Sequence, residues 1–308
     1  MMSIMEWEVR LIEWIQKALG SLNGSVGTVL SFIGGEMGLM LILLILLFCW
    51  KKETGKRMAL IITAVNAWLP MLKAAVMRPR PYMDYPDRVR GIADVGNKAP
   101  MDNVAAHGYS FPSIHSASAM ALFIPLANEV KKKWFWIAAV AITFLVGFSR
   151  AINGMHYPTD ILAGWVLGLM GAGICLLLEK KVKNSGIRHL ILLISVLPGV
   201  FFVRTEDYYT ALGMLTGLIA AIHFEERYVN FQDTRNVWAM ILRVVGAFAL
   251  YFALNTLLKM PFSREFLAGA SMKALLVRAA RYAVIIFVII GVYPKIFPLF
   301  EKIGQKKG

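Results

Sequence analysis

Three short polar stretches interrupt an otherwise apolar chain, and their residue types suit chemistry on a phosphate. The first, KAAVMRPRP (73–81), places Lys73 and Arg80 seven residues apart at the end of an apolar run. The second, FPSIH (111–115), sets Pro112 and Ser113 where a helix would begin, with Ile114 and His115 next. The third, SRAINGMHYPTD (149–160), carries Arg150, then His156 and Asp160 four residues apart with Pro158 between them. Lysine and arginine neutralise phosphate oxygens, and arginine does so with a fork of fixed geometry. A helix start presents free backbone N–H groups and the positive end of the helix dipole, so the Ser113–Ile114 step suits an anion. A carboxylate one turn from a histidine can hold one ring nitrogen and leave the other as a nucleophile.

Singly, each residue has a plainer structural reading. Lys73 and Arg80 would snorkel to lipid headgroups, Ser113 would cap a helix, and His115 would be a hydrogen-bonded histidine near the membrane surface. Together they are much more specific: three cations, a serine at a helix start and two histidines, one with a carboxylate. No carboxylate cluster of the kind that binds metals accompanies them. The set asks for metal-free phosphoryl transfer. Cations would spread the transition-state charge, one histidine would attack phosphorus, and the other would protonate the leaving oxygen.

The elements that must position these residues are membrane helices. Of 308 residues, 58% are hydrophobic and 17% charged, against roughly 45–50% and 25% in soluble domains; mean hydropathy is +0.60. Residues 26–50 alone exceed the roughly 20 residues a bilayer crossing needs. The fold class expected is all-α, a polytopic membrane protein with about nine helices, at about 27–50, 58–77, 112–128, 134–149, 158–178, 190–204, 208–224, 237–258 and 277–298. The net charge of +14 does not imply nucleic acid, because KKETGKR (51–57), EVKKK (129–133) and EKKVKNSGIR (179–188) fall in short inter-helix loops. That is the positive-inside signature of cytoplasmic loops. It puts the N-terminus, the 78–111 loop and the 149–158 turn outside, where the three polar stretches meet.

Residues 1–24 lack a signal-peptide core. Trp7, Leu11, Ile15 and Leu19 instead recur at helical spacing, as in an interfacial amphipathic helix anchored by Trp7 and Trp14. Residues 25–180 form the catalytic core and 181–308 additional C-terminal helices. Cys49 and Cys175 are too few for a disulfide framework or a cysteine-rich zinc site and read as packing residues. Glu36 is placed to pair with Lys73 or Arg150, Asn66 to hydrogen-bond between helices, and His107 to lie in an exposed loop. Arg243 and Asn255 read as packing within their helix. The basic stretch 259–281 falls outside on this topology, against the usual charge rule. It reads as an interfacial amphipathic segment able to attract anionic lipid, unless the last helix runs the other way.

At this point the sequence resembles the type 2 phosphatidic acid phosphatase (PAP2) or lipid phosphate phosphatase family, related to vanadium haloperoxidases. The family's signatures K-x6-RP, PSGH and SR-x5-H-x3-D read here as Lys73 to Arg80-Pro81, Pro112-Ser113-Ile114-His115, and Ser149-Arg150 to His156 and Asp160. The resemblance spans roughly residues 25–180 and stops short of the last 120 or so. It implies His156 as the nucleophile that becomes a phosphohistidine, Asp160 as its orienting partner and His115 as the general acid. Lys73, Arg80, Ser113, Ile114 and Arg150 would bind the substrate phosphate, with no metal and no cofactor. Ile114 departs from the usual glycine, which narrows the room at the backbone. The implied activity is hydrolysis of a lipid phosphomonoester or diphosphate at the extracytoplasmic face of a bacterial plasma membrane, the lipid tail staying in the bilayer. A phosphotransferase that passes the phosphoryl group to an acceptor, and a non-enzymatic lipid-phosphate binder or transporter, stay open as alternatives.

Overall fold

The computed structural model describes residues 4–92, 101–102 and 108–303, and the secondary structure among them is helical. His107 lies outside the described residues. The N-terminal helix α1 (Ile4–Leu19) leads through a short turn to α2 (Asn23–Gly34) and α3 (Glu36–Ile45), which continues as a wider turn to Trp50. The rod bends by 42° at the Gly34–Gly35 step. Helix α4 (Lys52–Val76) ends at Met77, whose left-handed backbone returns its N–H to the Lys73 carbonyl. A single turn, α5 (Pro81–Asp84), follows.

Helices α6 (Ile114–Val130), α7 (Lys133–Ile152) and α8 (Pro158–Lys181) complete the first half. Their starts are written locally. The Ser113 hydroxyl accepts the Ser116 N–H at 3.3 Å, and Pro158 sits at the first position of α8, where no N–H is needed. The Asp160 carboxylate accepts the Tyr157 N–H at 2.8 Å, closing that helix start from the third position. Gly164 and Gly168 let α8 lie directly on α6, since a Cβ at either would strike the carbonyl of Ser113 or Ala117. Small residues four apart are how membrane helices approach closely without a hydrophobic driving force.

The second half comprises α9 (Ser185–Val196), α10 (Gly199–Phe202), α11 (Glu206–Tyr228), α12 (Val237–Leu257), α13 (Arg264–Ala268), α14 (Met272–Ile286) and, after a wound segment, α15 (Phe297–Glu301). Gly213 and Gly217 repeat the close-packing device, seating α11 on Ala279 and Ala283 of α14. These helices are not appended loosely. Leu44, Leu47, Phe48 and Ala59 of the first half share one apolar cluster with Leu218, Ala221, Tyr251, Ile285 and Phe297. Outward faces remain apolar, as at Ile137, Phe144, Val166 and Leu177, which suits lipid rather than water.

Among the described residues, six helices are long and apolar enough to cross a membrane, seven if the bent pair at Gly35 is one span. The expected count of about nine is not reached. The two that fall short are α6, with 17 residues, and α11, which opens on Glu206 and Asp207. Both are wrapped by neighbours, so neither needs an apolar outer surface: Ala117–Ala119 in α6, and Leu215 and Ala221 in α11, are fully buried.

The two ends of the bundle differ in charge chemistry. At one end the three basic loops meet acidic partners. Arg57 reaches Glu179 at 2.8 Å and also pairs with Glu129, while Lys56 reaches Glu225 at 2.8 Å. Lys52 contacts Glu225, Asn230 and the Phe231 carbonyl, so the neutral 225–236 loop joins the same end. The other end holds α1, the 77–92 segment, the 150–158 turn and the 203–207 turn. Arg278 pairs there with Glu206, which places the start of α14 at this end too.

Candidate active site

Each predicted residue arrives at this second end from a helix terminus. Lys73 is in the last turn of α4, buried, and donates to the Tyr109 carbonyl. Because α4 stops at Val76, Arg80 comes back toward the bundle on an extended segment instead of pointing up a helix. Its Nε donates to the Gly108 carbonyl at 3.0 Å and a terminal nitrogen to the Met155 carbonyl at 2.9 Å. Arg150 closes α7, 1% exposed, and donates to the Ser31 hydroxyl of α2 at 2.7 Å.

His156 is 2% exposed in the turn between α7 and α8. That turn is tight because Gly154 adopts a positive φ of 65° and lies against the Arg90 carbonyl, where a side chain would collide. The His156 Nε2 stands 3.3 Å from a terminal nitrogen of Arg80. A guanidinium only donates, so Nε2 is the accepting, unprotonated nitrogen and the proton belongs on Nδ1. Burial, and then the neighbouring Arg80, Lys73, Arg150 and His115, hold His156 well below the usual imidazole range. Those same four groups therefore surround it within electrostatic reach.

Asp160 lies 3.8 Å from the His156 Nδ1, an ion-pair separation longer than a hydrogen bond. Its oxygens are held by other donors: the Tyr157 N–H, the Ser110 hydroxyl, and Arg78 at 2.7 Å. The carboxylate is thus fixed on both oxygens and presents its charge to the imidazole without freedom to rotate.

The start of α6 completes the group. The Ser113 N–H donates to the Asp160 carbonyl at 3.0 Å, which ties α6 to α8. Ser113 also accepts from the Ser116 hydroxyl at 2.9 Å, so part of its role is the capping one. Ile114 directs its side chain onto the apolar cluster of α4, α6 and α8. Its backbone N–H still belongs to the first turn, which has no partner within the helix. His115 faces the bend between α2 and α3: a Cβ on Gly35 would lie 3.6 Å from its Nε2, and one on Gly34 would strike Val146. Gly34 is what lets the first rod lie against Val146 of α7, next to the histidine.

Lys73, Arg80, Ser113, Ile114, His115, Arg150, His156 and Asp160 therefore converge on one end of the bundle. Such an arrangement can hold a tetrahedral anion between three fixed cations and a helix start, with an imidazole nitrogen behind it. Two participants went unnoticed in the sequence: Arg78 and Ser110, which hold Asp160. Arg78 had a usable signal, an arginine two residues before Arg80 within RPRP. Asp207 was missed as well; at the start of α11 it lies within electrostatic reach of Lys73, bringing the second half of the chain to the rim of the site.

Other expectations divide. Asn66 does bridge helices, accepting from the Ser118 hydroxyl at 2.7 Å. Glu36 does not pair with Lys73 or Arg150; it accepts from the Tyr251 hydroxyl of α12 at 2.7 Å. It heads α3 beyond the bend at Gly35, on the side that meets the second half. Arg243 and Asn255 are structural: Arg243 donates to the Phe48 carbonyl and pairs with Glu301, and Asn255 accepts from Arg281.

Comparison with known proteins places residues 54–183 in a match to the PAP2 superfamily and residues 209–306 in a match to the PAP2 superfamily phosphatase, transmembrane extension. The second match corrects the expectation that the resemblance ends near residue 180. Similar proteins include the lipid A 4'-phosphatase of Bacteroides thetaiotaomicron, 33% identical over 75 residues, 24% of this chain and 33% of that protein. The undecaprenyl-diphosphatase of Sulfolobus acidocaldarius is 40% identical over 62 residues, 20% of this chain and 29% of its own. The phosphatidylglycerophosphatase B of Bacillus subtilis is 35% identical over 86 residues, 25% and 42%. The chain thus spans less than half the length of each of these three relatives. No solved structure matches it.

Proposed function

Because the chain belongs to the PAP2 superfamily, we propose that it is an integral membrane phosphatase that hydrolyses a phosphomonoester or diphosphate on a lipid. The observation that carries this reading is the gathering of Lys73, Arg80 and Arg150 around the unprotonated Nε2 of a buried histidine. The relatives are named for lipid A, undecaprenyl diphosphate and phosphatidylglycerophosphate, all lipid phosphates.

In this mechanism the three cations and the N–H groups at the start of α6 hold the phosphate oxygens. The Nε2 of His156 attacks phosphorus in line with the ester oxygen. As the new N–P bond forms, the P–O bond breaks and His115 gives its proton to the departing oxygen. Water then attacks the phosphohistidine, His115 takes a proton from it, the N–P bond breaks, and inorganic phosphate leaves. Asp160, 3.8 Å from the Nδ1, offsets the charge that His156 gains. The carboxylates near the reacting atoms are already engaged, Asp160 and Glu8 both by Arg78, so the charge of the phosphate is met by arginine and lysine and the route is metal-independent.

The site faces the extracytoplasmic side, since the basic loops 51–57, 129–133 and 179–188 gather at the opposite end and cytoplasmic loops carry such charge. Trp7 and Trp14, both exposed on α1, sit at the level of the headgroups. The bacterial plasma membrane is the natural location.

The test is phosphate release from a panel of lipid phosphates by purified protein in detergent, with and without EDTA. Release that persists under chelation is expected; strict dependence on magnesium would overturn the metal-free route. Transfer of phosphate to an acceptor lipid without free phosphate would favour a phosphotransferase, and no release from any lipid would favour a binder.

The lowered His156 gives a second expectation. Its neutral, nucleophilic form is the one present above its pKa, and that pKa is shifted down from 6.5. The acid limb of kcat/KM, which reports the free enzyme, is therefore expected well below pH 6.5. A profile that already falls on acidification through 6.5 would show that the imidazole is not held neutral as described.

A further inference from the structure

An amphipathic helix at a membrane surface has little reason to bury a carboxylate, yet Glu8 of α1 is fully buried. Its partners all flank the proposed nucleophile. One oxygen accepts from Arg78 at 2.7 Å; the other accepts from the Thr159 N–H at 2.9 Å and its hydroxyl at 2.6 Å. Arg78 in turn donates to the Thr159 hydroxyl at 2.8 Å and to Asp160 at 2.7 Å, and its guanidinium lies 3.9 Å over the Tyr157 ring. The Thr159 hydroxyl thus donates to Glu8 and accepts from Arg78, which uses both of its capacities.

We infer that Glu8 is a positioning residue of this site, holding Arg78 and Thr159 so that Asp160 keeps its place beside His156. The inference rests on the phosphatase reading above and extends the working site to the N-terminal helix. Anchoring α1 does not by itself account for Glu8, because other groups already do that. Val9, Ile12 and Ile15 pack into an apolar cluster with Val89, Ile152 and Met155. Gln16 donates to the carbonyls of Arg90 and Ile152 and accepts from the Arg90 N–H. Arg88 pairs with Glu6 and Glu13. The Glu8 contacts run in a different direction, into the first turn of α8. Arg78 joins the two carboxylates as a fork, one terminal nitrogen on each. With the Glu8 charge removed, the guanidinium loses one arm of its fork and the Thr159 hydroxyl loses its acceptor, so the remaining contacts to Asp160 and Thr159 can shift and carry that carboxylate oxygen with them. The dipole of α8 and the Tyr157 N–H would still hold the other oxygen, so the expected fault is misalignment rather than unfolding.

The test is Glu8→Gln in the full-length protein, with a melting temperature to confirm folding. Misplacing a catalytic group by about 1 Å costs about 10²-fold in rate, so kcat is expected to fall by about that factor while KM changes less than about threefold. Vanadate, whose five-coordinate adduct mimics the transition state, should bind more weakly in proportion to kcat, whereas inorganic phosphate should bind as before. Glu13→Gln, which removes a surface pair on the same helix, should leave turnover unchanged. If Glu8→Gln does not fold, Arg78→Lys, which cannot bridge both carboxylates as a fork, should give the same split between kcat and KM. A folded Glu8→Gln with kcat within about threefold of the parent overturns the role, as does a loss seen in KM and phosphate binding alone. A parent protein that releases no phosphate from any lipid overturns the phosphatase reading instead. Vanadate and phosphate thermal shifts on parent and variant then decide Glu8: parallel changes for both anions reject it, and a loss confined to vanadate upholds it.

Discussion

His156→Ala is expected to lower lipid-phosphate turnover by about 10⁴-fold or more, the scale seen when a nucleophile of a coupled catalytic set is removed. The reason is that, among the described residues, none beside its Nε2 is placed to replace it. The neighbours of its Nε2 are cations, which cannot attack phosphorus, and Asp160 is held on both oxygens by Arg78, Tyr157 and Ser110. The variant should fold, because the helix start at Pro158 is closed by Asp160 and the Tyr157 N–H without help from the imidazole. Three measurements separate chemistry from damage: the melting temperature, phosphate release, and alkali-quenched labelling of the protein by a radioactive lipid phosphate. The parent should retain label as an acid-labile, base-stable adduct, and His156→Ala should not. Free imidazole offers a further check, since the alanine leaves room for it beside Arg80 and it can attack phosphorus in place of the side chain. A folded His156→Ala with near-parental turnover, or one that still takes up label, would move the nucleophile to another residue.

What the sequence disclosed follows from the range over which each residue works. Lys73, Arg80, Ser113, Arg150, His156 and Asp160 were legible because their spacing is set by local geometry, the end of α4, the start of α6 and the turn between α7 and α8. Glu8 was not, because its meaning comes from Thr159, 151 residues away. On α1 the residues Trp7, Leu11, Ile15 and Leu19 gave the visible stripe, yet Trp7 and Leu11 are exposed. The buried stripe is Glu8, Val9, Ile12 and Ile15. Two overlapping apolar faces, one for protein and one for the membrane surface, cannot be told apart from periodicity alone. Glu36 was misread for a related reason. Depth along the first helix suggested Lys73 or Arg150, but the bend at Gly35 turns it toward Tyr251 of the second half. The count of about nine is not confirmed, because α6 and α11, surrounded by protein rather than lipid, lack the length or apolar content of a lipid-facing span.

The second large effect is expected from His115→Ala, and its size should depend on the substrate. General acid–base assistance is worth about 10²–10⁴-fold, and it matters most where the leaving oxygen is a poor leaving group. An alkyl alcohol departing from a lipid phosphomonoester needs the proton as the P–O bond breaks; p-nitrophenolate is stable enough to leave without it. His115→Ala should therefore lose about 10³-fold on lipid phosphates and much less on p-nitrophenyl phosphate. A lipid diphosphate, whose leaving group is itself a phosphate, should fall between. The place of His115 supports this division of labour. It sits at the second position of α6, next to the anion-holding N–H groups and near enough to His156 to act on its charge. Gly35, at the bend of the first rod, lies beside its Nε2. Substitution of His115 creates no buried charge, so the fold should tolerate it. Equal losses for good and poor leaving groups would show that His115 holds the phosphate rather than protonating the departing oxygen. In that event the proton would have to come from water, and the cations alone would carry the first step.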